Sequence, residues 1–448
     1  MLIPDVRARE FARLDECDHA YLDYTGAALY PTCLVAGHAE MLRGAVLGNP
    51  HSESGASLAS SALLAEARGR VRRFFHADDY EVCFTLNASG AMRLVAESFP
   101  FGPRTGLVLS VDNHNSVNGV REYARRAGAA VRYASLDLDG RIDERAFADP
   151  AGLFAFPAQS NFSGARYSLE LVSMAKAAGY AVLLDAASFA PTSALDLRTV
   201  SPDFVAISFY KMFGYPTGVG ALLARRDSLS RLRRPWFAGG TVEHVTVREP
   251  SHVFRTGAEA FEDGTVNFLS IGAVSEGLRW LDELGLERVG LHSNHLSRCL
   301  ASTLTSLRHR GGGPMVQLYG PADQRLKGAV VTFNVLDEQG STLPHETVET
   351  AAREVRVSVR GGCFCNPGAA EQFGLGFGAL TPGAVRASLG VANNMRDVER
   401  LVDLVSAVAT RRVPNRRPRL SARISTPPSE RVESHVVAAS SSRIARFR

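Results

Sequence analysis

One lysine lies where an amine can act as a nucleophile. The chain has 448 residues and 50 Lys and Arg together, but its only lysines are Lys176, Lys211 and Lys327. Lys211 follows the apolar run FVAISF (204–209), which predicts a buried strand, and precedes a Gly-rich turn. In open α/β folds, ligands bind at the carboxyl edge of such strands. A partly desolvated amine at that edge is favoured in its neutral form and can form a Schiff base with an aldehyde.

An acid is expected at the same edge. Asp185 ends the run AVLLD (181–185), which also predicts a strand. An acid that protonates a pyridine nitrogen makes pyridoxal phosphate an electron sink for carbanions at a substrate's α-carbon. Asp185 and Lys211 are therefore the minimal pair for this cofactor. The alternative is an ordinary turn or cap, where a strand-end Asp is common.

Two further turns have residues suited to such a cofactor. In FTLNASGAMRLV (84–95) a strand meets a helix through small residues, so the N–H groups of Ala88 and Ser89 and the Ser89 hydroxyl can bind a phosphate. An ordinary strand-to-helix turn with a helix N-cap, and no bound phosphate, explains this sequence equally well. His114 follows the next strand and is suited to contact a flat ring and relay protons, although a solvated loop histidine is the alternative.

The elements that position these residues indicate an α/β fold. After an irregular start, continuously apolar runs alternate with helix-like segments, as expected for parallel strands buried on both faces. A mostly parallel seven-stranded sheet is predicted, followed by a smaller α+β domain. The seven runs are 82–86, 107–111, 130–136, 153–157, 181–185, 204–209 and 218–224.

Four parts of the chain are predicted. Residues 1–35 pack with the small domain, 36–284 form the large domain, 285–410 form the small domain, and 411–448 form a disordered tail rich in Arg, Ser and Pro. Docking of the tail to an acidic partner is the alternative to a solvated tail.

Composition limits the classes of partner. The tail has ten Arg against two Glu, a net charge of +8 in a chain of formal charge +4, which leaves −4 for residues 1–410. An acidic body argues against nucleic-acid binding. No apolar run approaches the roughly 20 residues that span a bilayer. The amino terminus lacks a secretion-signal pattern, and six scattered cysteines do not suggest a disulfide scaffold. We expect a cytoplasmic protein without membrane or nucleic-acid partners.

Taken in order, the motifs resemble the class V aminotransferase superfamily of fold-type I pyridoxal-phosphate enzymes. This superfamily includes cysteine desulfurases, and the likeness is greatest to the amino-terminal pyridoxal-phosphate domain of molybdenum-cofactor sulfurases. It extends over residues 21–391. The motifs are NASGA, DNHNSV, FPAQSNFSG, LLDAASF, SFYKMFGYPTG, AGGTV, FEDGTVNFLSI and RGGCFCNPGA.

The resemblance implies a role for each matched residue. Lys211 forms the Schiff base, Asp185 pairs with the pyridine nitrogen, and His114 stacks on the ring. Asn161 lies near the cofactor's phenolic oxygen and, with Arg386, binds the substrate carboxylate. The phosphate is bound by Ala88, Ser89, Ser208 and Tyr210, and in a homodimer by Thr265 of a neighbouring subunit.

Two cysteines flank Phe364 in RGGCFCNPGA, a Gly-rich loop after a strand. A buried structural cysteine and a metal ligand are alternatives, but the glycines favour a loop, and no second Cys or His pair has metal-site spacing, so no metal is expected. The third interpretation is a nucleophilic thiol that moves between substrate and acceptor. The resemblance assigns the persulfide to Cys365 and leaves Cys363 as a resolving or silent residue.

The function expected is that of a sulfurtransferase similar to cysteine desulfurases. L-Cysteine would give L-alanine and a persulfide on Cys365, and the sulfur would pass to an acceptor protein or small molecule, because residues 411–448 do not predict an acceptor domain. The alternatives are another class V enzyme, an epimerase, β-lyase or aminotransferase, or a binding protein without turnover.

Overall fold

Strands and helices alternate through most of the chain. The computed structural model describes residues 5–135, 144–147, 150–375 and 383–410. The predicted disordered tail, 411–448, lies outside the described residues. In chain order the strands are β1 (Ala20–Tyr21), β2 (Tyr80–Thr85), β3 (Gly106–Ser110), β4 (Ala130–Ala134), β5 (Gly152–Pro157), β6 (Ala181–Asp185), β7 (Phe204–Ser208), β8 (Gly220–Arg225), β9 (Val242–Thr246), β10 (Ser251–Phe254), β11 (Val316–Tyr319), β12 (Val330–Val335), β13 (Val357–Ser358), β14 (Arg360–Gly362) and β15 (Ala384–Ser388).

The helices cover the sheets and connect their strands. They are α1 (Val6–Glu10), α2 (Arg13–Glu16), α3 (Thr32–Gly44), α4 (Gly55–Phe74), α5 (Ala88–Ser98), α6 (Asn115–Asn118), α7 (Val120–Arg126), α8 (Glu170–Ala177), α9 (Phe209–Phe213), α10 (Arg226–Leu229), α11 (Phe268–Leu284), α12 (Leu286–Ser306), α13 (His345–Glu354), α14 (Pro367–Gln372) and α15 (Met395–Thr410). Within the described ranges, none is both long and apolar enough to cross a bilayer.

The largest sheet has seven strands in the order β2-β8-β7-β6-β5-β3-β4. Strands β3 to β7 pair in parallel, and β8 is antiparallel to both β2 and β7. All seven apolar runs predicted as strands lie in this sheet, with small shifts at their ends. The predicted mostly parallel α/β sheet is confirmed.

Both faces of this sheet are buried. Along β5, Phe154 and Phe156 belong to one apolar cluster, whereas Leu153 and Ala155 belong to another. Successive side chains of a strand point to opposite faces, so helices must cover both. The continuous apolar runs follow from this double burial.

The start of the chain is more regular than expected. Helices α1, α2 and α3 and the first turn of α4 lie in the start of the chain that we predicted as irregular. The buried face of α4 is spaced by three or four residues, but its members are mostly small. A scan for large apolar residues misses such a helix. Its buried residues are Ser57, Ser60, Leu64, Ala67 and Val71.

A second, antiparallel sheet has the order β11-β12-β15-β14. Helices α12, α13 and α15 contact it, as the predicted α+β arrangement requires. Strand β1 pairs with β13, with Ala20 opposite Val357. The hairpin β9-β10 was not predicted. The boundaries at residues 35, 284 and 410 stay a prediction.

Candidate active site

Four neighbouring strands bring the predicted residues to one edge. Asp185 is the last residue of β6, and Lys211 lies in α9 just after β7. His114 and Asn161 lie in the loops after β3 and β5. Strands β7, β6, β5 and β3 are parallel neighbours, so their carboxyl ends meet at the same edge. Four of the predicted site residues therefore converge there.

The turn between β2 and α5 reaches the same edge. Strands β2 and β7 run in the same direction because both are antiparallel to β8. Ala88 donates its N–H to Ser208 Oγ at 2.8 Å, which ties this turn to the end of β7. Asn87 caps α5 by accepting from the Gly90 N–H at 3.0 Å. The Ser89 N–H donates to no described residue, so it is free to bind an anion at the helix N-terminus.

Lys211 has the environment of a reactive amine. It makes no hydrogen bond to a described residue. Burial lowers its pKa from the usual 10.5, while the opposite charge of Asp185 partly counters this shift and the like charge of Arg386 adds to it. Desolvation disfavours the ammonium form, so the neutral amine is more populated than in an exposed lysine.

The Asp185 carboxylate accepts one hydrogen bond from the described residues. One oxygen, Oδ1, accepts from the Ala187 N–H at 3.0 Å. No other hydrogen bond to this carboxylate comes from the described residues. The second oxygen is therefore available to a ligand that lies beside Lys211.

His114 is fixed by its own helix cap. Its Nδ1 accepts from the Ser116 N–H at 3.1 Å. Burial lowers its pKa, Asp185 counters that shift, and Lys211 adds to it. A neutral ring that accepts at Nδ1 carries its proton on Nε2. Ser116 Oγ also lies 2.6 Å from Ser89 Oγ, so Ser116 links the histidine to the Ser89 turn. We did not predict a role for Ser116. Its position two residues after His114, the residue that caps α6, could have indicated one.

Arg386 is deeply buried, and only some of its N–H groups donate hydrogen bonds to described residues. It donates from Nη1 to the Asn161 carbonyl at 2.7 Å and from Nη2 to Asp23 Oδ1 at 3.2 Å. Burial lowers its pKa to about 10, against the opposing charge of Asp23. Its Nε is buried with no partner among the described residues. This leaves N–H groups available for a planar anion.

Asp23 and Arg360 belong to the same cluster, and we predicted neither. Arg360 Nη2 lies 2.6 Å from Asp23 Oδ2, so Asp23 lies between two guanidinium groups. The side chain of Arg360 is half exposed. The cluster keeps a net positive charge where an anionic substrate can reach it.

Cys365 is exposed and Cys363 is half-buried. The alternative of a packed core cysteine is therefore wrong for Cys365. Phe364 and Cys365 adopt φ of 54° and 56°, the left-handed region that costs residues other than glycine about 1–3 kcal/mol each. The Arg386 guanidinium lies over the ring of Phe364, 4.7 Å from its centroid, so the residue that precedes Cys365 contacts this arginine.

The two remaining residues predicted to bind the cofactor phosphate are Tyr210 and Thr265. Tyr210, in α9, is half-buried, and burial raises the pKa of its phenol. Thr265 is exposed and accepts from Asn49 Nδ2 at 3.1 Å. It lies in an open groove that Leu86 and Trp236 also line. The predicted contact of Thr265 with a neighbouring subunit stays a prediction.

Molybdenum cofactor sulfurases are among the curated proteins similar to this chain. A molybdenum cofactor sulfurase from Bos taurus is 38% identical over 82% of this chain and 45% of its own length. One from Arabidopsis thaliana is 34% identical over 90% of this chain and 58% of its own length. The chain spans about half the length of the curated relatives it matches.

Solved structures of cysteine desulfurases have the same fold as this chain. The apo cysteine desulfurase from Thermococcus onnurineus NA1 superposes with a TM-score of 0.81 at 26% identity, covering 91% of this chain and 98% of that one. The cysteine desulfurase CsdA from Escherichia coli, at 22% identity and a TM-score of 0.78 over 91% of this chain and 98% of its own, supports the fold alone. The predicted type I fold is confirmed, as is the resemblance to these enzymes. The model of the aminotransferase class V family matches residues 20–401, and the chain belongs to that family.

Proposed function

We propose that the protein is a pyridoxal-phosphate-dependent sulfurtransferase of the cysteine desulfurase type. It would convert L-cysteine to L-alanine, hold the sulfur as a persulfide on Cys365, and pass it to an acceptor. The observation that carries the proposal is the unpartnered amine of Lys211 beside Asp185, together with the exposed Cys365, whose neighbour Phe364 lies 4.7 Å below the buried guanidinium of Arg386. Relatives named molybdenum cofactor sulfurase and cysteine desulfurase support it.

The residues present fit the cofactor. Lys211 has no hydrogen-bond partner among the described residues, one Asp185 oxygen is free, and the Ser89 N–H donates to none of them. An aldehyde, a ring nitrogen and a phosphate would each meet one of these groups. The cofactor supplies the aldehyde that condenses with an amine and a ring that withdraws electrons from the substrate α-carbon.

Each side chain of the site then has a separate role in the proposed reaction. Arg386 binds the substrate carboxylate and orients the α-carbon. Lys211 Nζ, as the neutral amine, accepts the α-proton. The free Asp185 oxygen would hold the ring nitrogen in its protonated form, and His114 would offer a neutral ring face and a proton on Nε2.

The sulfur step needs the thiolate of Cys365. Its Sγ attacks the substrate sulfur, so an S–S bond forms and the substrate C–S bond breaks. The electron pair of the broken bond stays on the β-carbon, which takes up a proton to give alanine.

The partners and setting follow from the same proposal. A homodimer would cover the groove of Thr265, where Leu86 is 71% and Trp236 is 50% exposed. All six cysteines are free, which suits a reducing, cytoplasmic setting. The acceptor is a protein or small molecule that reaches the exposed Cys365.

One assay tests the function. Full-length protein purified with pyridoxal phosphate is incubated with L-cysteine, alanine is measured, and persulfide is trapped by alkylation and located by mass spectrometry. The proposal predicts alanine and a persulfide on Cys365, and neither product with L-serine. Absence of both products with L-cysteine in a protein that binds the cofactor would overturn it.

Cofactor binding is expected to depend on pH through Lys211. The free amine reacts and the ammonium does not, so the rate of adduct formation rises with pH through the pKa of Lys211. Because burial lowers that pKa, the midpoint should lie below 10.5. The rate of adduct formation by cofactor-free protein, measured from the absorbance at a series of pH values, gives the midpoint. A midpoint at or above the usual value would contradict this prediction.

Arg386→Lys is expected to weaken substrate binding. A lysine offers a point charge in place of the planar fork that can bind a carboxylate with two parallel hydrogen bonds. We expect KM for L-cysteine to rise about tenfold or more, since about 1.4 kcal/mol of lost binding corresponds to tenfold. Steady-state kinetics measure this change. The matched control is Arg121→Lys at an exposed ion pair, which should leave KM unaltered; equal KM values in both variants would refute the role of Arg386.

A further inference from the structure

Asp112 is a buried carboxylate that the proposed chemistry does not use. It is 4% exposed and lies two residues before His114. Three neutral groups donate to it: the Tyr167 hydroxyl, Ser160 Oγ at 2.9 Å and Asn366 Nδ2 at 2.5 Å. No cation of the described residues forms an ion pair with it. A buried carboxylate is costly unless it is well hydrogen-bonded, so Asp112 depends on these three donors.

Asn366 is the donor that connects Asp112 to the cysteine loop. It directly follows Cys365 and is fully buried. Its Nδ2 also lies 2.9 Å from Asn161 Oδ1, and its Oδ1 caps α14 by accepting from the Ala369 N–H at 3.2 Å. One side chain thus joins the loops after β3 and β5 to the start of α14.

The backbone of the cysteine loop is held as well. The Cys365 carbonyl accepts from the Asn115 N–H at 2.7 Å, and the Phe364 carbonyl accepts from Asn161 Nδ2 at 2.7 Å. At Gly368, an added Cβ would lie 1.9 Å from the Val111 carbonyl oxygen, so α14 packs directly on the chain after β3. We expected a loop that moves freely, whereas the structure fixes it at several points.

We propose that Asp112 is a positioning residue that holds Cys365 in place through Asn366. The proposal rests on the function proposed above, since it concerns the geometry of the Cys365 thiol. The left-handed conformations of Phe364 and Cys365 persist only when surrounding contacts fix them. Asn366 Nδ2 donates to Asp112 Oδ1 at 2.5 Å between two buried side chains, where a hydrogen bond is stronger than in water. Burial raises the pKa of Asp112, and its three hydrogen-bond donors oppose that shift. A shift of about 1 Å in a reacting group can cost about 100-fold in rate.

Asp112→Asn tests the proposal, because the variant keeps the shape of the side chain and replaces one acceptor oxygen with an N–H donor. In holoenzyme without substrate, the amides of residues 363–372 should exchange hydrogen about tenfold faster or more, while the Lys211 adduct is retained. With L-cysteine, kcat should fall about 10- to 100-fold at unchanged KM. The matched control is Asp203→Asn at another buried carboxylate, which accepts from the Val182 N–H at 2.8 Å and has no hydrogen bond to the described residues of the cysteine loop; its loop exchange and kcat should stay within about twofold.

A double variant distinguishes a role in positioning Cys365 from a general contribution to the stability of the protein. Asp112→Asn combined with Asn366→Asp reverses donor and acceptor, and it should restore part of the loop protection and of kcat. Unchanged loop exchange in Asp112→Asn would overturn the proposal. So would faster exchange throughout the protein with loss of the Lys211 adduct. Hydrogen exchange needs no turnover, so a protein that responds in the loop but releases no alanine would contradict the proposed function and not the role of Asp112.

Discussion

Replacing Cys365 by serine is expected to reduce persulfide formation and alanine release from L-cysteine by at least about 1000-fold, the scale of loss when a catalytic nucleophile is removed. A hydroxyl does not ionise near neutral pH and cannot form the S–S bond. The exposed position of Cys365 makes the substitution structurally mild. Alanine release and alkylation mass spectrometry measure the loss, and the absorbance of the bound cofactor should be unaltered.

Cys363→Ser is the matched control, because it changes the other thiol of the same loop. Cys363 packs against the apolar cluster that contains Phe162 and Phe364, and we expect its variant to keep the persulfide on Cys365. Alanine release that survives in Cys365→Ser would exclude the persulfide mechanism. Cofactor chemistry of another class V type, such as that of a β-lyase, would then explain the site.

Lys211→Ala is expected to lower the rate of alanine formation by at least about 1000-fold, since it removes both the covalent attachment and the general base, which alone contributes about 100- to 10000-fold. The variant should also lose the adduct that borohydride fixes at this position. Reduction with borohydride followed by peptide mapping tests this directly. Alanine formation measured in parallel gives the size of the effect.

Lys176→Ala serves as the control for this experiment. Lys176 donates to the Ser201 carbonyl at 2.9 Å, away from the Lys211 amine, so its variant should keep both adduct and activity. Labelling that persists in Lys211→Ala, or a wild-type protein that stays colourless with added pyridoxal phosphate, would remove the basis of the proposed function. A binding protein without turnover would then be the better interpretation.

Much of the fold and part of the site were predictable from local patterns. Each apolar run marked a strand, and the residues that end or follow those runs, Asp185, Lys211 and His114, then had to lie near one edge of a parallel sheet. The small-residue face of α4 and the hairpin β9-β10 were missed because neither has a strong apolar pattern. The domain boundaries, the homodimer and the role of Thr265 stay predictions.

The sequence by itself determined which side chains follow the parallel strands, because strand direction and the end of each run are local properties. Only the tertiary structure decided which distant residues meet them. Asn366 bonds Asp112 across 254 positions, and Arg360 bonds Asp23 across 337. Such pairs leave no periodic signal, since each partner lies in a short loop or strand end whose neighbours do not determine its contacts. These contacts form only when the two sheets pack together, because polar groups that become buried then need hydrogen-bond partners.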